Sequence, residues 1–169
     1  MNNTKTNEGL AAFAKEHLGA PYWFGTFGQK SSRKLYKAKK KQYPKEYTWK
    51  YKNHQPGVLP AKQRGVRVFD CSGLIKGYLW TKEDGTIKYN ASQDLPVSRL
   101  FQSSPLSGTI DTMPEKIGVL VFAPNHVGVY IGNGKVIDAK GHATGVIQTN
   151  LSDRHFTHWG YCPWIEYVS

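Results

Sequence analysis

Cysteine is nearly absent from this chain: 169 residues hold two, Cys71 and Cys162. Two thiols cannot make a disulfide framework, so the fold must rest on a packed core. Long apolar runs are missing too, and nothing in the sequence reads as a transmembrane segment. The six histidines stand in no CxxC or HExxH context, which leaves no zinc pattern and no expected metal. No glycine-rich phosphate loop precedes a helix, so no cofactor is expected. Acidic residues are scarce, 12 against 23 Lys and Arg, for a formal net charge of +11. What is present suits one globular domain over 1–169, with 39% hydrophobic and 13% aromatic residues.

The positive charge is concentrated. From Lys30 to Arg67 there are 13 Lys and Arg against one acid, Glu46, a local net charge of +12. The same stretch carries Tyr36, Tyr43, Tyr47, Trp49 and Tyr51. Ser31-Ser32 can cap a helix over Arg33 to Gln42 that Pro44 stops, and Pro56-Gly57 and Pro60 mark later turns. Three readings compete for this segment. An anionic polymer other than nucleic acid ranks first, a solvated face with lysine stems lying over apolar surface second, and nucleic acid third, because no nucleic-acid motif accompanies the charge. A structureless insert of this length is unusual in a compact domain, so a partly ordered flap beside the cleft is expected. On the first reading the segment governs attachment and contributes nothing to the chemical step.

Two short stretches carry chemistry. In Phe69-Asp70-Cys71-Ser72-Gly73-Leu74, the residues Leu74, Ile75, Tyr78 and Leu79 recur at helical spacing, and Asp70 stands where an N-cap belongs. A thiol at a helix start faces the positive end of the dipole, which favours the nucleophilic thiolate. In Asn125-His126-Val127-Gly128-Val129-Tyr130, an imidazole opens a strand that turns at Gly132-Asn133-Gly134 into a second strand, Lys135 to Ala139. A register centred on Asn133 makes His126 and Asp138 cross-strand neighbours. A carboxylate there would fix the imidazole tautomer and stabilise the imidazolium. The expected catalytic set is Cys71, His126 and Asp138, with His142 as the rival third member. Cys162 reads as a small buried hydrophobe, although a Cys71–Cys162 bridge stays open. His155 and His158 read as surface loop residues.

These blocks, with Leu18-Gly19-Ala20-Pro21-Tyr22-Trp23-Phe24-Gly25 and Gly118-Val119-Leu120-Val121-Phe122, resemble the NlpC-type bacterial cell-wall cysteine peptidases. The resemblance implies an α+β, reduced papain-like fold: a cysteine on a helix N-terminus, packed against an antiparallel sheet that carries the histidine. It implies Cys71 as nucleophile, His126 as base, Tyr22 near the oxyanion, and Asp70 and Ser72 near the substrate's peptide stem. The bond implied is the γ-D-glutamyl–diamino acid amide of peptidoglycan. Two alternatives are an N-acetylmuramoyl-L-alanine amidase with the same Cys–His chemistry and a non-catalytic polyanion-binding module. Three departures stand out. The third catalytic position, His, Asn or Gln in many relatives, aligns with Asp138 here, which can still orient His126. Gly118-Val119-Leu120 lacks the carboxylate usual before the histidine strand, and the basic insertion at about 30–67 separates the Tyr22 and Cys71 segments. A monomer is expected.

Met1 to Glu8 is polar, and Leu10, Phe13, Ala14, His17 and Leu18 make one stripe of a helix from about Thr6 to Leu18. This does not read as a signal peptide. A wall enzyme without one would be released by lysis, carried on a phage particle or injected, unless the sequence belongs to a longer protein. Further elements are expected as a short helix at 92–101, interrupted or started near Pro96, and strands near 118–122, 126–131, 135–139, 145–149 and 160–167.

Overall fold

A computed structural model describes residues 4–47 and 65–169. The Pro56-Gly57 and Pro60 turns, Trp49 and Tyr51 lie outside the described residues. Helix α1 (Asn7–Glu16) starts where Thr6 Oγ1 accepts the Gly9 N–H at 3.0 Å, and it buries Leu10 and Ala14. Strand β1 (Phe27–Lys30) leads into α2 (Arg33–Gln42), capped by Ser32 Oγ on the Leu35 N–H. Strand β2 (Arg67–Phe69) returns antiparallel to β1 and delivers the chain into α3 (Cys71–Trp80). After α4 (Val97–Gln102) come β3 (Ser107–Thr109), β4 (Leu120–Ala123), β5 (His126–Gly132), β6 (Lys135–Gly141), β7 (Gly145–Asn150) and β8 (His158–Gly160).

These six strands form one antiparallel sheet in the order β3-β8-β4-β5-β6-β7. Strand alternation sorts its side chains cleanly. Leu120, Phe122, Val127, Val129, Ile137 and Ala139 face Leu10, Ala14, Leu74 and Ile75 of α1 and α3. Val119, Val121, Tyr130 and Val136 face the other way and are covered by Phe156 and Trp159. The α+β class is the one expected. The last strand lies earlier than expected: β8 ends at Gly160, where the expected strand was to begin, and the residues beyond it are held by the Tyr167 hydroxyl, which accepts the Cys162 N–H and donates to Gly118 O. The helix expected at 92–101 is split at Pro96, with a single 3₁₀ turn (Ala91–Gln93) before it and α4 after it.

The basic insertion is built into the molecule. Its two ends close on each other through β1 and β2, through Ser31 N–H to Val66 O at 2.7 Å and Gly65 N–H to Ser31 O at 3.0 Å. Tyr36 and Tyr47 are 3% and 2% exposed and pack with Trp23 and Val68 into a core of their own. Tyr36 and Tyr47, read as companions of a charged surface, therefore anchor it instead.

Candidate active site

Cys71 is the first residue of α3, and the cap ahead of it is well made. Asp70 Oδ1 accepts the Gly73 N–H at 2.7 Å, its Oδ2 accepts the Gly25 N–H at 2.8 Å, and its own N–H donates to Thr26 O at 3.1 Å. The glycine of the motif has a physical reason. A Cβ on Gly73 would lie 1.8 Å from the Thr26 carbonyl oxygen, so only glycine lets the first turn of α3 seat against the β1 segment. The thiol donates a long hydrogen bond, 4.0 Å, to the Asn125 carbonyl and is approached by the Val127 N–H. It thus lies against the backbone on both sides of His126. Pro124 and Asn125, the latter at φ 58°, make the tight turn from β4 into β5 that presents this backbone.

The thiolate expectation needs correcting. Burial pushes the Cys71 thiol up to about 12, and the Asp70 carboxylate adds to the rise. The N–H groups of Val127 and Ser72 and the Lys76 ammonium pull the other way without prevailing. The helix start is real, but here desolvation outweighs its dipole. The resting group is a thiol, and its proton must be taken by a base.

His126 Nε2 lies 2.5 Å from Asp138 Oδ2, and Asp138 is 0% exposed. Arg154, which nothing in the sequence singled out, supplies the counter-charge. Its two terminal nitrogens donate to Asp138 Oδ1 at 2.8 Å and Oδ2 at 2.7 Å, and one of them also reaches Thr149 Oγ1 at 3.0 Å. Burial pushes the Asp138 carboxyl up, but the hydrogen bonds and charges of Arg154 and His126 outweigh it and hold it below the usual carboxylate range. Phe156 joins the group: the His126 ring stacks on it at 6.0 Å, and the Arg154 guanidinium lies 4.9 Å from its centroid.

The register expectation is also corrected. β5 and β6 pair Val129 with Ile137 and Tyr130 with Val136, and a bulge falls between Tyr130 and Gly132. In that register Gly128, not His126, faces Asp138. A Cβ on Gly128 would come within 3.1 Å of Asp138 Cβ. The missing side chain is the space through which His126 reaches Asp138 diagonally.

His142 is elsewhere. Its ring meets Tyr22 edge-on at 4.8 Å, and burial pushes it down to about 4, so it is neutral in the folded protein. Both thiols are free; Cys162 is 1% exposed in the main core, so no Cys71–Cys162 bridge forms. His158 opens β8, with its ring against Phe101.

A cleft of about 730 Å³ opens over Cys71, Asp70 and Ser72. Tyr22, Phe24 and Asn125 line it beside the thiol, and burial raises the Tyr22 phenol, with Asp70 and Cys71 adding to the shift, so it stays a neutral donor. The opposite wall comes from the insertion: Lys39, Gln42 and Tyr43 of α2 and its end line the same cleft. The Tyr43 ring packs so tightly on Gly25 that a Cβ there would lie 2.4 Å from it, and Gly25 is the residue whose N–H holds Asp70. The insertion was expected as a flap beside the cleft that adds nothing to the chemical step; in the fold its residues Lys39, Gln42 and Tyr43 do stand beside the cleft and form one side of it.

Comparison with known proteins agrees with this architecture. The model of the NlpC/P60 family matches residues 44–164, a span that includes Asp70, Cys71, Ser72, His126, Asp138 and His142 and excludes Tyr22. Among solved structures, NlpC2 from Trichomonas vaginalis is similar at 15% identity and a TM-score of 0.55, over 98% of this chain and 49% of that one. The peptidoglycan hydrolase RipB from Mycobacterium tuberculosis is similar at 20% identity and a TM-score of 0.51, over 95% of this chain and 65% of that one. This chain therefore spans between half and two-thirds of the length of these relatives. No curated protein sequence matches it. The helix-start cysteine, the antiparallel sheet carrying the histidine and the family match over most of the sequence lead to one conclusion: the chain belongs to the NlpC/P60 family, whose members are peptidoglycan hydrolases of the cysteine-peptidase type.

Proposed function

We propose that this chain hydrolyses the γ-D-glutamyl–diamino acid amide of peptidoglycan stem peptides, with Cys71 as nucleophile, His126 as base and Asp138 as the residue that orients His126. The observation that carries this reading is the buried Asp138 carboxylate, held by Arg154 and hydrogen-bonded to the imidazole whose backbone flanks the thiol.

The Nε2 hydrogen points at Asp138, so Nδ1 is the basic nitrogen. It accepts the Cys71 proton as sulfur attacks the carbonyl carbon, and the C=O becomes an oxyanion. The N–H groups of Cys71 and Ser72, at the start of α3 ahead of the Gly73 N–H that Asp70 takes, and the neutral Tyr22 phenol serve the oxyanion. The imidazolium then protonates the departing amine, and the C–N bond breaks. Water, deprotonated by His126, releases the acyl group and restores the thiol. Asp138 stabilises the imidazolium in both steps, and Arg154 keeps Asp138 ionised. Asp70 and Ser72 line the cleft where the stem would lie.

We read residues 1–169 as one peptidase domain with an insertion at about 30–67, acting on the bacterial cell wall. Among the described residues no helix is long and apolar enough to cross a membrane. The insertion's excess positive charge suits attraction to an anionic wall polymer.

Digestion of defined muropeptides, with the stem still joined to N-acetylmuramic acid, read by mass spectrometry, tests the bond. The expected products carry a new amine on the diamino acid; a free amine on L-alanine would instead assign the amidase reaction. Cys71→Ala should fold, by circular dichroism, and release neither product. Turnover by that variant would remove the nucleophile assignment.

A further inference from the structure

One charged side chain of the cleft has neither a task in the proposed mechanism nor an ion pair among the described residues. Four side chains of Asp and Lys line that space: Lys39, Asp70, Lys76 and Asp94. Three are satisfied from within. Asp94 takes the Lys76 ammonium at 2.8 Å on one oxygen and the Tyr89 hydroxyl at 2.7 Å on the other. Asp70 takes the N–H groups of Gly25 and Gly73.

Lys39 is different. Its Nζ reaches Gln42 Oε1 at 3.3 Å and lies 5.8 and 5.7 Å from the ring centroids of Phe27 and Tyr43. Among the described residues no carboxylate forms an ion pair with it, and residues 48–64 contain no Asp or Glu at all. Burial draws this ammonium below the ordinary lysine value, and Asp70 and Asp94 act on it only as more distant charges. A cation partly stripped of water, facing a cavity and lacking a counter-ion, gains most from an anion that enters the cavity. The lysine comes from the insertion, yet the space it faces is the one that holds Cys71.

We propose that Lys39 is a specificity-determining residue that recognises a free carboxylate of the substrate next to the scissile bond. This rests on the stem-peptide reading above and sharpens it. A γ-linked glutamyl residue spends its side-chain carboxyl on the amide to be cut. Its α-carboxylate is left ionised a few bonds away. The carboxamide of the same residue has the same shape without the charge, so the two forms isolate what Lys39 reads.

Binding and turnover are measured separately. Calorimetry on Cys71→Ala compares tripeptides L-Ala-γ-D-Glu-X, with X as L-lysine or meso-diaminopimelate, against counterparts in which the glutamyl α-carboxylate is a carboxamide. The carboxylate forms should bind about tenfold to a hundredfold tighter, the range for a hydrogen bond to a charged group. Adding Lys39→Met, which keeps the stem over Phe27 and Tyr43, should erase the difference by weakening the carboxylate form alone. Lys39→Arg should restore most of it. A preference that survives Lys39→Met, or equal binding of both forms to the Cys71→Ala protein, overturns the proposal. Turnover by the unmodified enzyme decides the other question. Hydrolysis of both forms at equal kcat/KM would sink the lysine assignment and leave the peptidase standing. Selective binding without hydrolysis of any stem would do the reverse.

Discussion

Asp138 and Asp70 flank the candidate catalytic group, and the molecule treats them in opposite ways. Asp138 is gripped by a guanidinium on both oxygens and by an imidazole, and its carboxyl is held below the usual range. Asp70 has only backbone N–H groups in contact; burial pushes its carboxyl up, against the pull of those groups and of Lys76 and Lys39. The sheet side is thus complete before any substrate arrives. The helix side carries a buried thiol and, among the described residues, a carboxylate with no direct cationic partner and, across the cleft, a lysine with no direct anionic one. One wall is self-neutralised, and the other is left to exchange charge with what binds.

The sharpest way to break that contrast is to remove the oriented carboxylate. Asp138→Ala should lower kcat by about 10²–10⁴-fold, the span of a general acid–base contribution. His142→Ala, which removes a ring packed edge-on against Tyr22, should cost far less. Matched kinetics with the two effects in the opposite order would hand the third role to His142.

Arg154→Met asks whether the sheet side really depends on its clamp. Leaving Asp138 buried without its cation should cost about 3–5 kcal/mol of unfolding free energy in urea melts. It should also acquire a pH dependence of definite sign. The folded carboxyl titrates below its unfolded value, so the stability it adds is fully present above the unfolded value and is lost as pH falls through the folded one. Without Arg154 the folded value rises, so that loss should set in at higher pH. Midpoints that shift in parallel at every pH would mean the arginine acts through packing alone.

The smallest expected effect lies on the helix side. Asp70→Asn keeps an oxygen to cap Gly73 and removes a negative charge beside Cys71. Iodoacetamide should then label the thiol a few-fold faster at neutral pH, since each unit of pKa is a factor of ten in thiolate. In the unmodified protein labelling should be slow at mildly acidic pH and climb as pH rises. Fast labelling in mild acid would show that the ion-paired thiolate already exists at rest.

Much of this arrangement was legible in the residues. The start of α3, its Asp70 cap, the whole of α2 from Ser32 to the stop before Pro44, and the hairpin carrying His126 and Asp138 follow from local rules of capping, periodicity and turn chemistry. What escaped notice is long-range. Arg154 lies 16 residues past Asp138 in the turn region after β7, and the only signal for it was the need of a buried carboxylate for a partner. The bulge at Tyr130 and Gly132 moved the register, because a bulge leaves no mark in alternation this short. Tyr36 and Tyr47 looked like partners of the lysines, since sequence spacing cannot tell that Trp23 and Val68 are waiting to cover them.

The contact between Gly73 and the Thr26 carbonyl has a mechanical consequence. With no room for a single extra carbon between them, α3 and the β1 segment cannot slip past one another. The insertion hangs from that segment, and Cys71 sits two residues from the contact. A displacement of the β1 segment, where the insertion begins, is therefore felt at the start of α3, where Cys71 sits.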